Sequence, residues 1–134
     1  MVVVTLVDTT LLVDLMRADA GAVRWLDAHE AKGWPRFVSA VSVMEVHRGM
    51  SAARRPLQQA GLTRNVFRGM AVLPVDTTVA TLAGQIDGAL RRAGTPIQPE
   101  DCLIAATAEV HDLSVTTRNV RDFEKIQGLQ VQTY

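Results

Sequence analysis

Pro99-Glu100-Asp101-Cys102-Leu103-Ile104-Ala105-Ala106-Thr107-Ala108 is the stretch that decides how the 134-residue chain is read. A proline at its head suits the first turn of a helix, where the missing N–H has no partner to lose. Beyond the acidic pair the segment is apolar on nearly every face, and a helix of that kind lies in the middle of a domain. Its two acids are thereby placed where the core meets solvent. The helix dipole favours acids in a first turn and accounts comfortably for one of them. It accounts less well for Asp101 if that side chain is turned into a cleft.

Outward from this helix, apolar strand-like runs alternate with helical patterns. Residues 2–7, a β-branched run, read as a strand covered on both faces, ended by Asp8. Residues 11–16 form a short helical pattern, with Asp8 suited to cap it. Residues 20–32 form a longer one, stopped by Gly33 and Pro35. Residues 37–41 read as a second strand, followed by a helical stretch in which Ser42 and Glu45 have the spacing of a capping box. Residues 54–70 read as one helix or two short ones, with Leu57, Leu62, Val66, Phe67 and Met70 inward and the arginines on a solvated face. Residues 71–75 contain Pro74, which places this third strand near an edge. Asp76 caps the best-patterned helix, in which Val79, Leu82, Ala83, Ile86 and Leu90 recur at helical spacing before Gly94. Residues 113–117 give a fourth strand, 118–123 a loop or short turn, and 128–133 a last strand. The alternation specifies an α/β fold: a three-layer α/β/α sandwich with a mainly parallel central sheet, as a single domain over residues 1–134.

Composition narrows the function classes. Hydrophobic residues make up 48% and charged residues 21%, the balance of a globular protein. The apolar start is too short for a membrane span and lacks the shape of a secretion signal, so a cytoplasmic location is expected. Cys102 is the only cysteine, which excludes an internal disulfide and a multi-thiolate zinc site. With a formal net charge of zero there is no global basic field, so any contact with nucleic acid has to be local.

In an open α/β sheet, sites form beyond the carboxyl ends of the strands. Asp8, Glu45 and Asp122 each follow a strand, and Asp101 begins the buried helix, so the four converge despite their separation in sequence. Carboxylates brought together raise one another's pKa unless a cation neutralises them. An oxygen-rich, thiol-free set suits Mg2+, with Mn2+ as the alternative.

Val7-Asp8-Thr9-Thr10-Leu11-Leu12-Val13-Asp14-Leu15, Ser42-Val43-Met44-Glu45-Val46, Pro96-Ile97, Glu100 to Ala108, and Thr117-Arg118-Asn119-Val120-Arg121-Asp122-Phe123 follow one another in an order that resembles a PIN domain of the VapC toxin type, over nearly the whole chain. Each motif is weak alone, and the ordered set is specific. The resemblance implies that Asp8, Glu45, Asp101 and Asp122 are the acidic quartet, supported by Thr10, Thr117 and Asn119. Thr10 stands where the family more often has Asn or Ser. The last motif offers both Asn119 and Asp122 to the metal and leaves the choice open. The resemblance further implies a magnesium-dependent endoribonuclease, the toxin of a type II toxin-antitoxin pair, often a homodimer, inhibited by a small VapB-like antitoxin. Water attack on the phosphodiester would leave a 5′-phosphate and a 3′-hydroxyl. Arg48, Arg118, Arg121 and Lys125 are the candidates for holding RNA phosphates, with Arg48 equally placed to pair with Glu45.

Three other readings use the same residues. A metal-dependent nuclease acting on DNA or flap structures keeps the site and changes the substrate. A phosphate-accepting receiver domain needs an acidic pair after the first strand and a lysine after a late strand, but only Asp8 follows Val7 and no lysine lies near Thr116 or Thr117. A catalytically silent partner-binding domain leaves the full set of acids without a purpose.

Overall fold

The computed structural model describes residues 4–134. Its elements run β1 (Thr5–Val7), α1 (Thr9–Met16), α2 (Ala20–Ala31), β2 (Arg36–Ser39), α3 (Ala40–Ser51), α4 (Pro56–Val66), β3 (Met70–Leu73), α5 (Thr77–Arg92), α6 (Pro99–Val110), β4 (Ser114–Thr116), α7 (Val120–Phe123) and β5 (Val131–Gln132). The first part of the expected opening strand, Val2 and Val3, lies outside the described residues.

The five strands form one sheet in the order β3-β2-β1-β4-β5, with every neighbouring pair parallel. Strands this short are fixed by what covers them. Leu6 and Phe37 belong to the core on the side of α5 and α6, whereas Val7 and Val38 belong to the core shared with α1, α2 and α4. That period-2 split gives the sheet two buried faces and the domain its three layers. In α6, Cys102 and residues 104–108 are all buried, as a helix apolar all round requires. Thr107 tolerates the interior because its hydroxyl donates to the Leu103 carbonyl at 2.7 Å.

Between β1 and β4 runs a buried seam of hydroxyls. Thr5 Oγ1 lies 2.7 Å from Thr116 Oγ1, and Ser114 Oγ donates to Thr5 Oγ1 at 3.1 Å. The register pairs Thr5 with Ser114 and Val7 with Thr116, so Asp8 and Thr117 leave the sheet side by side. The chain turns to the opposite face of the sheet between β3 and β4, which makes the carboxyl ends of β1 and β4 the switch point where a crevice opens.

Four local expectations change. β2 ends at Ser39, whose Oγ accepts from the Val41 amide at 3.1 Å and caps α3, so Ala40 and Val41 are helical and not extended. Ser42 consequently lies buried within α3, and its capping box with Glu45 does not form. Leu57 is 92% exposed; at 3.6 residues per turn it points away from Val66, which is buried. Met70 opens β3, an edge strand, instead of closing a helix. Elsewhere the punctuation holds: Asp76 Oδ1 accepts from the Val79 amide at 2.9 Å, and Gly94, at φ +76°, takes the left-handed conformation past the end of α5.

Candidate active site

Asp8 leaves the end of β1 and is 2% exposed. Its Oδ2 caps α1 by accepting from the Thr10 amide at 3.4 Å, and also receives the hydroxyls of Thr10 at 2.8 Å and Thr117 at 2.7 Å. Its Oδ1 is buried with no hydrogen-bond partner. Cap and ligand are therefore not alternatives for this residue, because each role has its own oxygen. A buried carboxylate oxygen with nothing to accept from is costly, and a cation removes that cost.

Glu45 projects from α3 toward the same place. Thr9 Oγ1 sits 2.8 Å from both Ser42 Oγ and Glu45 Oε1, and its single proton satisfies the carboxylate. Arg48 Nη2 lies 3.6 Å from Glu45 Oε2. Burial raises the Glu45 pKa, and the charges of Asp8 and Glu100 add to the rise against the Thr9 hydrogen bond.

Asp101, in the first turn of α6, carries the largest perturbation. Burial, followed by the charges of Asp8, Glu45, Asp122 and Glu100, pushes its carboxyl up to about 7. The other three sequence-derived acids thus each act electrostatically on Asp101. Asp122 is the best neutralised. Its Oδ2 accepts from Asn119 Nδ2 at 3.1 Å and its Oδ1 lies 3.2 Å from Lys125 Nζ, and these partners hold its pKa below the ordinary value.

Asp8, Glu45 and Asp101 line one cleft of about 390 Å³ together with Thr10 and Asn119. Among the described residues no group of three or more acidic, histidine or cysteine side chains is gathered closely enough to hold a metal ion as the side chains stand. The arrangement is an open, oxygen-lined cup. Cys102 adds no thiolate, since it is buried and its pKa is pushed up to about 11, chiefly by desolvation. An oxygen-only donor set, an orphaned Asp8 oxygen and an Asp101 carboxyl raised by burial and by neighbouring acids together suit a hard divalent cation.

The basic candidates are engaged at home. Arg118 Nη2 pairs with Asp14 at 3.0 Å and Asp19 at 3.3 Å, Lys125 pairs with Asp122, and Arg48 spans Glu45 and, at 4.0 Å, Glu100. Arg121 is exposed. Sequence reasoning passed over Thr9, Asp14 and Arg17, which line the same cleft. Asp14 carried a signal: an acid inside the apolar run of α1, one turn after Leu11 and therefore on its buried side.

Comparison with known proteins agrees with this geometry. Residues 5–129 match the PIN domain family. The chain is 35% identical over 128 residues to ribonuclease VapC10 of Mycobacterium tuberculosis, covering 93% of this chain and 90% of that one. It is 33% identical over 97 residues to the tRNA(fMet)-specific endonuclease VapC of Salmonella typhimurium, covering 72% and 74% respectively. The crystal structure of DNA-bound VapBC from Salmonella typhimurium superposes with a TM-score of 0.87 at 26% identity, covering 99% of this chain and 98% of that one. The parallel sheet, the crevice at its switch point and these similarities place the chain in the PIN-domain family, among the VapC-type ribonucleases.

Proposed function

We propose that the cup formed by Asp8, Glu45 and Asp101, with Asp122 at its edge, is where this VapC-type ribonuclease cleaves RNA. The observation that carries the reading is the buried, partnerless Oδ1 of Asp8 in a cleft shared with Glu45 and Asp101, whose pKa values are raised. Asp8 Oδ1, Asp101 and Glu45 would hold a divalent ion, Mg2+ or in its place Mn2+. Bound there, such an ion polarises the scissile phosphate and lowers the pKa of water at the site.

The chain's own residues do the rest. Thr10 and Thr117 fix the plane of the Asp8 carboxylate, and Thr9 does the same for Glu45. Asp101, its carboxyl pushed up to about 7 by burial and the neighbouring acids, would be held in its ionised form by a bound cation. Asn119 and Lys125 keep Asp122 ionised at the edge, so that Asn119 positions the acid and Asp122 supplies the charge. Arg48, with a side chain 63% exposed, can leave Glu45 and Glu100 for an RNA phosphate, while Arg121 is open to solvent.

In this reading residues 1–134 act as one nuclease domain, the toxin of a toxin-antitoxin pair working in the cytoplasm. It would be held by a small VapB-like antitoxin, as the VapBC complexes among its structural relatives are named, and would pair as a homodimer. Among the described residues no helix is long and apolar enough to cross a membrane. The test is cleavage of structured RNA and matched DNA oligonucleotides by the purified chain, with and without a chelator. Cleavage confined to RNA, lost with the chelator and restored by Mg2+ or Mn2+, is expected. Cleavage that survives chelation, or that prefers DNA, overturns the reading.

A further inference from the structure

We propose that Tyr134 and Asp14 are positioning residues for the Asp8 carboxylate, acting through Arg118 and Thr10. The proposal rests on the reading of Asp8 as a cation ligand and extends it to a part of the chain far from the acidic motifs.

The chain of contacts starts past β5. The Tyr134 hydroxyl donates to Asp14 Oδ2, and Arg118 Nη2 reaches the same oxygen at 3.0 Å. The Arg118 guanidinium also lies 5.5 Å from the centre of the Tyr134 ring and 3.3 Å from Asp19 Oδ2. An otherwise exposed side chain is thus gripped on three sides by α1, by the residue capping α2, and by the end of the chain as given. The grip fixes the peptide that carries it.

That peptide matters because of what it donates to. The Arg118 N–H donates to Thr10 Oγ1 at 3.1 Å, and the next N–H, from Asn119, donates to Thr117 Oγ1 at 2.8 Å. Each threonine hydroxyl has one proton to give. With an amide donor already on its oxygen, each directs that proton onto Asp8 Oδ2, at 2.8 Å from Thr10 and 2.7 Å from Thr117. Two successive amides thereby hold the two hydroxyls that occupy one oxygen of Asp8, while the other, Oδ1, stays buried without a partner. Displacement of the Arg118 peptide releases Thr10 to turn toward Thr117, 3.3 Å away, and frees the carboxylate to rotate. Tyr134 and Asp14 touch no reacting atom in this account. They hold the peptide that holds the hydroxyl that holds the ligand.

The experiment is Mn2+ binding by titration calorimetry, with thermal melting in parallel, on the full chain. Tyr134→Phe keeps the ring over Arg118 and removes only the hydroxyl; Asp14→Asn keeps the shape and removes the charge. Groups that touch a metal ligand directly change affinity by roughly 10–100-fold, so these more remote variants are expected to weaken Mn2+ by about three- to tenfold. Thr10→Val removes the hydroxyl downstream, and adding Tyr134→Phe to it is expected to cost no further affinity. Lowered melting temperature with Mn2+ affinity unchanged in both single variants overturns the proposal, as does a fully additive double variant. Asp8→Asn separates the two levels. If it retains Mn2+ binding, the reading of the cup and this proposal fall together; if it alone loses binding, only the proposal falls.

Discussion

Asp8 and Asp14 stand toward opposite ends of α1, both nearly buried, and their charges are treated in opposite ways. Asp14 meets an arginine and a tyrosine hydroxyl within the fold. Asp8 meets only hydroxyls and an amide, all on one oxygen, has no ion-pair partner among the described residues, and its charge raises the pKa of Glu45 and Asp101. The first is a finished electrostatic unit, whereas the second is complete only when something positive arrives from solution. Burial of an acid does not by itself mark function; burial without a countercharge does.

The comparison breaks first at Asp8. Asp8→Asn is expected to reduce RNA cleavage by more than the ~100-fold that removing a group behind a metal ligand costs, with little loss of stability. A variant that cuts at near-parental rate removes the distinction between the two acids. Asp14→Ala is expected to do the reverse, lowering unfolding free energy in urea by about 1–3 kcal/mol as Arg118 and the Tyr134 hydroxyl lose their shared partner, with a smaller effect on turnover. If Asp14→Ala matches Asp8→Asn in activity and leaves stability intact, the two acids have been assigned the wrong way round.

Titration sharpens the contrast. Asp101 has its folded pKa raised from 3.8 to about 7. The folded state therefore holds that proton more tightly than the unfolded one. The associated stability is fully present below 3.8 and is lost as pH rises through about 7. Glu45, raised in the same direction, adds to the loss. In chelator, the melting temperature of the parent relative to Asp101→Asn is expected to fall between about pH 5 and about pH 8, a comparison that cancels the opposite contribution of buried His29, and Mn2+ is expected to restore the parent more at the higher pH. A difference that grows in the parent's favour across that interval contradicts the assignment. The smallest effect is expected from Arg48→Ala. Its exposed pair with Glu45 contributes no more than about 1 kcal/mol, so stability should hold while KM for RNA increases and kcat changes little.

Much of this was legible in sequence, and the boundary is physical. The buried α6, the alternation of strands and helices, and the acids following strands could be read because each depends on neighbours within a turn or two. Asp76 and Gly94 announced a helix start and stop for the same reason. Ser39 and Ser42 could not be told apart as caps, since either has the right chemistry and only the end of β2 decides. Leu57 looked like core because it is apolar, and its exposure depends on which side of α4 faces the sheet. The grip on Arg118 was invisible, because Asp14 and Tyr134 are brought together only by the finished fold.

The hydroxyl seam between β1 and β4 has a consequence for how mutations in this domain should be interpreted. Parallel strands of three residues offer few contacts to tell one alignment from the next, and a slip of one position would swap the sides to which Leu6 and Val7 point. Thr5, Ser114 and Thr116 act as a ruler, making the correct alignment the one in which every buried oxygen finds a mate. Valine at the two threonines and alanine at Ser114 nearly keep the volume and erase the markings. Such a protein is expected to collapse with a helical spectrum close to the parent's while delivering its first acid to the wrong address, so intact circular dichroism would be poor proof that the nuclease had been assembled.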